Sequence, residues 1–183
     1  MSKTTNIIFF HGFGSSNQTN KFTSIKHPNK QCTTVDYVAV GVDDVCDLYE
    51  EMIIDSIANF DRTILVGHSF GGFFANMFAV KYSLRALLIA PCMRPHVYVA
   101  DRMPEVLRYN FTWETNYSNK IVILIENDDE LFDTETDVAL LKNAPSEYLK
   151  LYRFDGGHHR ICREDVINQE LDELMEKPLG FKG

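Results

Sequence analysis

Two kinds of segment are missing from this sequence: long apolar runs and closely spaced cysteines. No run approaches the roughly 18 apolar residues that a membrane-spanning helix needs, and the apolar run at 7–10 is too short for the core of a signal peptide. The four cysteines lie far apart and include no C-x-x-C pair, so we expect them to be reduced and mostly buried. These absences predict a cytoplasmic protein that contacts no membrane.

Positive charge is also in short supply. Lysine and arginine together number 18 against 26 aspartate and glutamate residues, which gives a formal net charge of −8 at pH 7. Long-range repulsion therefore disfavours a nucleic-acid backbone or an anionic membrane as a partner, although a local basic pocket is compatible with this charge.

The chain has no internal repeat, low-complexity tract or linker. Its 183 residues suffice for one domain with a sizeable core and are too few for two. We therefore predict a single domain over residues 1–183, with a loose end at 177–183, where a proline and two glycines occur.

What the sequence does contain is an alternation of short apolar runs with helical patterns. Continuously apolar runs are typical of strands buried on both faces of a parallel sheet, and the predicted strands are 6–10, 33–40, 63–67, 86–90, 120–126 and 148–154. A 3.6-residue period predicts helices at 43–60, 69–82, 134–142 and 163–176. This order implies right-handed crossovers and an α/β fold with a doubly wound, mostly parallel six-stranded sheet covered by helices on both faces.

The most informative segment is ILVGHSFGG at residues 64–72, which contains the motif G-x-S-x-G. A buried-strand pattern precedes the motif and a helical pattern follows it, which is the context of a nucleophile on a sharp strand-to-helix turn. The glycines permit the close approach of strand and helix, and the helix N-terminus favours developing negative charge. The alternative is a glycine-rich turn with Ser69 as the helix N-cap. The context favours Ser69 as a nucleophile.

Two later loops offer an acid and a base for this serine. Asp128 and Asp129 follow the fifth predicted strand, and His158 and His159 follow the sixth. Both loops leave the carboxyl edge of the sheet, and the order serine, acid, histidine is that of hydrolases with this turn. The residues alone leave the choice within each pair open, since a spare carboxylate can cap a helix and a spare histidine can be a solvated loop residue.

The motif HGFGSS follows the first predicted strand. A glycine-lined turn at this place lets a backbone N–H point at a substrate oxyanion, and we expect the amides of Phe13 and Phe70 to form that pair. His11, Gly12 and His68 flank these amides and are candidate substrate contacts. The alternative for His11 is a side chain that only caps the turn.

A metal site built from His158, His159 and Cys162 is the other chemistry that these side chains allow. Their spacing matches no recognised zinc pattern. The sequence therefore predicts neither a metal nor a cofactor.

Together these motifs resemble the α/β-hydrolases and, within them, the small esterase-like YqiA/YcfP group of bacterial proteins. The likeness spans nearly the whole chain and adds the segments APCMRP, NDDELFD and DGGHH, which are similar to the group's N-P-A-x-R-P, T-G-D-E-V-L-D and E-G-G-N-H. The resemblance implies that Asp129 and His159, rather than their neighbours, complete a catalytic triad with Ser69. Two departures from the group are His68 at the x position before the serine and Asp128 in place of glycine. A second carboxylate beside the acid could alter the pKa of the histidine or take over the role of the acid.

These observations predict a serine hydrolase that cleaves a small-molecule ester or thioester through an acyl-enzyme. Ser69 attacks, His159 acts as base and then acid, and Asp129 orients His159. The insertion at 91–119 is short enough to form only a minimal lid, which favours small acyl groups. Arg94 is its candidate substrate contact, and Arg94 and Arg102 are candidate cations for an acidic group; the alternative for each is a solvated surface side chain. Acyl transfer, peptide cleavage, or a binding module without turnover are the alternatives on the same fold.

Overall fold

The computed structural model describes residues 4–109, 111–160 and 163–176, so Cys162 and the predicted loose end at 177–183 lie outside the described residues. Its strands are β1 (Thr5–Phe10), β2 (Lys30–Gln31), β3 (Arg62–His68), β4 (Arg85–Ile89), β5 (Ile121–Glu126) and β6 (Leu149–Phe154). Its α-helices are α1 (Asn20–Thr23), α2 (Tyr37–Val40), α3 (Val42–Asn59), α4 (Phe70–Tyr82), α5 (Pro95–Tyr98), α6 (Thr134–Ala139) and α7 (Glu164–Met175). Two 3₁₀ helices cover Pro104–Arg108 and Leu140–Asn143.

The six strands form one sheet in the order β2-β1-β3-β4-β5-β6, and every neighbouring pair is parallel. The order reverses between β1 and β3, where Phe10 lies opposite Gly67. This register brings the loop after β1 beside the turn after β3, at the carboxyl edge where α/β sheets form their sites. The predicted doubly wound parallel architecture is confirmed.

Helices cover both faces of the sheet because successive strand residues point to opposite sides. One face packs on α3, through residues four apart on that helix, and on the strongly apolar α4; the buried contacts from α3 are Val45, Tyr49 and Ile53. The other face packs on α7 through Ile167, Leu171 and Leu174. Within the described ranges, no helix has both the length and the apolarity that crossing a membrane requires.

The predicted strand at 33–40 is wrong. The structure has instead the two-residue β2 and, after a loop, the helical turn α2. The Asp36 carboxylate caps this turn by accepting hydrogen bonds from the amides of Val38 and Ala39, both at 3.1 Å. The Tyr37 side chain is buried, and its hydroxyl donates to a carbonyl oxygen just after β1 at 2.6 Å. The alternating pattern of this segment therefore reflects a cap and one anchored tyrosine, not a strand.

The insertion at 91–119 folds against the body of the protein through apolar side chains. Val106 is fully buried, and Met103 and Trp113 are nearly so. All three pack in the same core cluster as α3 and α4. Many of the insertion's apolar side chains therefore pack into the core of the protein. Only part of the segment lies at the carboxyl edge of the sheet.

Candidate active site

Ser69 lies on the sharp turn between β3 and α4. Its backbone has φ 54° and ψ −123°, a left-handed conformation that is strained for any residue with a side chain. The turn is fixed on both sides, since the Ser69 amide donates to the Ile89 carbonyl at 3.0 Å and the Ser69 carbonyl accepts from the Cys92 amide at 2.9 Å. These bonds to the end of β4 hold the serine hydroxyl at the carboxyl edge of the sheet.

Glycines make this turn possible because the start of α4 touches the strands. A Cβ on Gly71 would lie 2.1 Å from the Phe10 carbonyl oxygen, and one on Gly67 would lie 2.5 Å from the Gly71 carbonyl oxygen. Contacts this short leave no room for any side chain at either position. The two glycines of the G-x-S-x-G motif are therefore steric requirements of the turn.

The imidazole of His159 connects Ser69 to Asp129. His159 Nε2 lies 2.9 Å from Ser69 Oγ, and His159 Nδ1 lies 2.8 Å from Asp129 Oδ2. The side chains of His159 and Asp129 are only 8% and 4% exposed, so solvent competes little with these bonds. An ionised carboxylate can only accept, which places the proton on Nδ1 and leaves the Nε2 lone pair facing the serine hydroxyl. The arrangement can accept a proton from Ser69.

The second oxygen of Asp129 fixes the carboxylate in this orientation. Oδ1 accepts hydrogen bonds from the amides of Leu131 and Phe132, at 2.8 and 3.0 Å. The Phe132 ring then packs edge-on against the His159 imidazole, with ring centroids 4.6 Å apart. Both the acid and the ring that it holds are thus positioned by one short turn after β5.

The neighbouring acid and histidine form a separate pair at the surface. His158 Nδ1 lies 3.2 Å from Asp128 Oδ2, and the two side chains are 64% and 35% exposed. A hydrogen bond to the Asp128 backbone carbonyl and the charge of the Asp128 carboxylate raise the pKa of His158. The structure therefore brings Asp129 and His159 to Ser69, and leaves Asp128 and His158 in solvent.

A buried carboxylate that the sequence analysis missed joins the two loops. Glu126, the last residue of β5, is fully buried and accepts hydrogen bonds from the Gly157 amide at 3.1 Å and from Arg163 Nε at 2.8 Å. Glu130 accepts the His159 amide at 2.9 Å. The sequence does single out Glu126, because it is the one charged residue of the segment IVILIE and stands at the end of its apolar run.

His11 does not line the cavity beside Ser69. It is fully buried, its Nε2 accepts the Val35 amide at 2.8 Å, and its Nδ1 donates to the Gly12 carbonyl at 2.8 Å. Burial lowers the pKa of this imidazole, which stays neutral. The expectation of a substrate contact is not met, and His11 supports the turn after β1 instead.

Arg94 does not line this cavity either. Its Nε donates to Asp137 Oδ1 at 2.5 Å, and its guanidinium also bonds the Tyr98 hydroxyl. Asp137 lies in α6, so this ion pair ties the start of the insertion to the body of the fold. The predicted role of Arg94 as a substrate contact is replaced by a structural one.

A cavity of about 350 Å³ opens beside Ser69 and His159. The apolar residues around it that keep some exposed surface are Phe13, Val99, Leu131 and Phe132, whereas the Phe70 side chain is fully buried. Phe70 is the first residue of α4, so its N–H has no acceptor within the helix.

Gly12 and Phe13 bring the loop after β1 to the same cavity. A Cβ on Gly12 would lie 3.1 Å from Ser69 Cβ, so this loop runs close past the serine. The loop after β1 and the first turn of α4 thus meet at the cavity, and Phe13 and Phe70 are both among the residues around it.

His68 also borders the cavity. Its Nε2 lies 3.5 Å from the His159 carbonyl oxygen, while its Nδ1 is buried and has no hydrogen-bond partner among the described residues. Burial, followed by the positive charge of Lys21, holds the pKa of His68 well below its ordinary value. A neutral imidazole thus stands next to the serine.

Within the described part of the chain, no cluster of three or more potential ligands could hold a metal ion. The alternative metal site of His158, His159 and Cys162 involves a residue outside the described ranges. The geometry of His158 and His159 is explained by the two carboxylates that they face.

Solved structures share this architecture at low sequence identity. The ferulic acid complex of Est1E from Butyrivibrio proteoclasticus has a TM-score of 0.76 and 13% identity, and the match covers 96% of this chain and 91% of that one. The mouse alpha/beta hydrolase domain-containing protein 10 has a TM-score of 0.71 and 14% identity, with 93% and 89% covered. Carboxylesterase CesB from Bacillus subtilis has a TM-score of 0.66 and 11% identity, with 95% and 84% covered. These matches establish the α/β-hydrolase fold.

No curated protein sequence matches this chain significantly. A family model does match, over residues 6–172, which include both glycine-rich turns and both loops that carry Asp129 and His159. This agrees with the resemblance to the YqiA/YcfP group read from the motifs. The chain therefore belongs to the uncharacterised protein family UPF0227.

Proposed function

We propose that this protein is a serine hydrolase that cleaves carboxylic esters or thioesters of small acyl groups. The observation that carries the proposal is the buried chain of contacts from Ser69 Oγ to His159 Nε2, at 2.9 Å, and from His159 Nδ1 to Asp129 Oδ2, at 2.8 Å. A nucleophile, a base and a group that orients the base are the parts that acyl transfer to a serine requires. All three meet at the edge of one cavity.

In the proposed reaction, Ser69 Oγ attacks the carbonyl carbon of the substrate while its proton moves to His159 Nε2. The amides of Phe13 and Phe70 hydrogen-bond the resulting oxyanion, and Asp129 stabilises the imidazolium. His159 then gives its proton to the leaving oxygen or sulfur, which leaves the acyl group on Ser69. A water molecule, deprotonated by His159, attacks this acyl-enzyme and releases the carboxylic acid and the free serine.

The size and character of the cavity support a small acyl group. Its volume of about 350 Å³ is near the lower end of the range for small-molecule sites. Phe13, Leu131 and Phe132 give its lining an apolar character. The similarity in fold to esterases, including the carboxylesterase from B. subtilis, agrees with ester cleavage.

A fluorophosphonate probe tests the proposal directly. We expect one adduct per chain, located at Ser69 by peptide mass spectrometry, and no adduct in Ser69→Ala. Ser15 lines the same cavity, and Ser15→Ala is the matched control that should be labelled as wild type. Labelling at another residue, or none in a folded protein, would contradict the proposal, and the latter result is the one expected of a binding module without turnover.

A panel of esters, thioesters and peptides, each assayed with water alone and with added alcohol or amine acceptors, then separates hydrolysis from its alternatives. We expect release of free carboxylic acid from esters or thioesters. Predominant transfer to the acceptor, or cleavage of peptides alone, would contradict the proposed reaction.

A further inference from the structure

The charged side chains around the cavity all carry the same sign. Lys21, Arg102 and Arg160 line it, and none of the described residues that line it is aspartate or glutamate. The whole chain has a formal net charge of −8, so this cationic wall is opposite to the average surface. Because a charge acts over only about 10 Å at ordinary ionic strength, these three cations contribute to the potential at the cavity mouth, together with the Asp129 and Glu130 carboxylates that bond His159.

Two of these cations have no ion pair within the part of the chain that the structure describes. There, neither Arg102 nor Arg160 has a carboxylate at ion-pair distance or a hydrogen-bond acceptor for its guanidinium, and both are exposed. Other arginines of the described chain do bond oxygen atoms; these are Arg62, Arg85, Arg94, Arg153 and Arg163. Among the described residues, no acceptor thus occupies the guanidinium donors of Arg102 and Arg160 at the cavity that Ser69 also lines.

These three cations lie near residues that take part in the proposed reaction or that border Ser69. The Arg102 guanidinium lies over the Phe13 ring, 5.4 Å from its centroid, which places it near the amide proposed to bind the oxyanion. Arg160 directly follows His159 in the chain. Lys21 is only 5% exposed, and its charge is felt at His68, so it adds positive potential on the inner wall.

We propose that the cavity selects substrates that carry an anionic group, a carboxylate or a phosphate, close to the scissile bond, and that Arg102 and Arg160 bind this group. A planar guanidinium can donate two parallel hydrogen bonds to either anion, which gives orientation as well as attraction. This inference rests on the proposed function, because it specifies the substrate class of the same site.

The anion can belong to the acyl group or to the leaving group, and matched ester pairs separate the two cases. For the acyl side, ethyl butyrate is compared with monoethyl succinate, in which a free carboxylate replaces the terminal methyl group. For the leaving group, the butyrate ester of ethylene glycol is compared with that of ethylene glycol phosphate. We expect kcat/KM of wild type to favour the anionic member of at least one pair by about tenfold or more.

The variants then assign the preference to the two arginines. In the double variant Arg102→Gln, Arg160→Gln the ratio of anionic to neutral kcat/KM should fall to about one, and raising the salt concentration should lower the ratio in wild type. Arg108→Gln is the matched control, since Arg108 is an exposed arginine of the same insertion that does not line the cavity. It should keep the wild-type ratio.

The possible failures are distinguishable. If neutral and anionic esters are cleaved equally well in a reaction that requires Ser69, the inference is overturned while the proposed function stands. A preference that survives in the double variant would also overturn it. If no ester is cleaved and no probe labels Ser69, the proposed function itself fails.

Discussion

At the scale of single residues, Ser69 combines the hydroxyl that we propose as nucleophile with a strained backbone, and two substitutions separate these properties. Ser69→Ala should lower kcat by about 10³-fold or more, because the nucleophile is lost. Ser69→Gly should be equally inactive and more stable than Ser69→Ala, by about 1 kcal/mol, because glycine adopts φ 54° without strain. Ester assays and urea unfolding measure the two effects. An alanine variant with more than about a tenth of wild-type activity would remove Ser69 as nucleophile.

The two acids and two histidines form matched pairs for mutation. His159→Ala should lower kcat/KM by about 10³-fold, and Asp129→Asn should also lower it strongly, since both contact the proton path from Ser69. His158→Ala and Asp128→Asn should change it by no more than a few-fold, because that pair faces solvent. Steady-state kinetics of the four variants on one ester show which acid and which histidine are needed for activity. An inactive His158→Ala with an active His159→Ala would reverse the assignment.

Sequence order and residue type predicted the loops that meet at Ser69, but they could not choose between adjacent residues. The choice depends on details such as the positive φ of His158 and the turn that Asp129 closes with Leu131 and Phe132. Arg94 was misjudged for a similar reason. Its partner Asp137 lies 43 residues further along the sequence, and a local sequence pattern does not predict such a contact.

At the scale of elements, Glu126 links the end of β5 to the loop that carries His159. We expect Glu126→Gln to weaken its bonds to Arg163 and Gly157 and so to loosen that loop. As a positioning residue it should affect kcat, by about tenfold, with little change in KM, and it should slow fluorophosphonate labelling to the same degree.

Glu135→Gln is the control for this prediction, because the Glu135 side chain is 77% exposed and pairs with Arg153 at the surface. It should leave both rates unchanged. If Glu126→Gln only lowered the melting temperature and labelled at the wild-type rate, its role would be structural alone.

The insertion at 91–119 sets the expected acyl length. Val106 and Trp113 are buried in the core, so little apolar surface is left to enclose a long chain. In a series of 4-nitrophenyl esters, kcat/KM should peak at about two to six carbons and then fall, by on the order of 1 kcal/mol per misplaced methylene. A maximum at twelve carbons or beyond would mean that a deeper apolar channel opens.

Most elements were predictable because their apolar patterns are long and regular. The helix predicted at 43–60 corresponds to α3, and the continuous apolar run of β5 reads as a strand buried on both faces. The segment at 33–40 failed because a short alternation is compatible with either structure. There the Asp36 cap and the contact of Tyr37 with Tyr49, whose hydroxyls lie 2.7 Å apart, decide the outcome.

At the scale of the whole molecule, the fully buried His11 and the partly buried His68 predict sensitivity to acid. Burial lowers the native pKa of His11 and His68, whereas an unfolded histidine titrates near about 6.5. Below that pH the unfolded chain binds protons that the native protein does not. The free energy of unfolding should therefore fall as the pH drops, by up to about 1.4 kcal/mol per pH unit for each group.

Urea unfolding of wild type and His68→Asn between pH 7 and 5 measures this contribution. Carboxylates titrate in both proteins, so the difference between the two slopes isolates His68. The variant should lose stability less steeply. Identical slopes would show that His68 becomes protonated in the native state as readily as in the unfolded chain.

The strand order has a consequence for how the protein is made. Among the described strands, β6 lies at one edge of the sheet and pairs with β5 alone, and the loop that follows it carries His159. During synthesis the ribosome releases Ser69, the glycine-rich turns and Asp129 before β6. A nascent chain can therefore build the central sheet around Ser69 before His159, the base of the proposed reaction, is in place. Under the proposed mechanism, Ser69 becomes reactive only after β6 has paired with β5, so an incomplete chain has no hydrolytic activity.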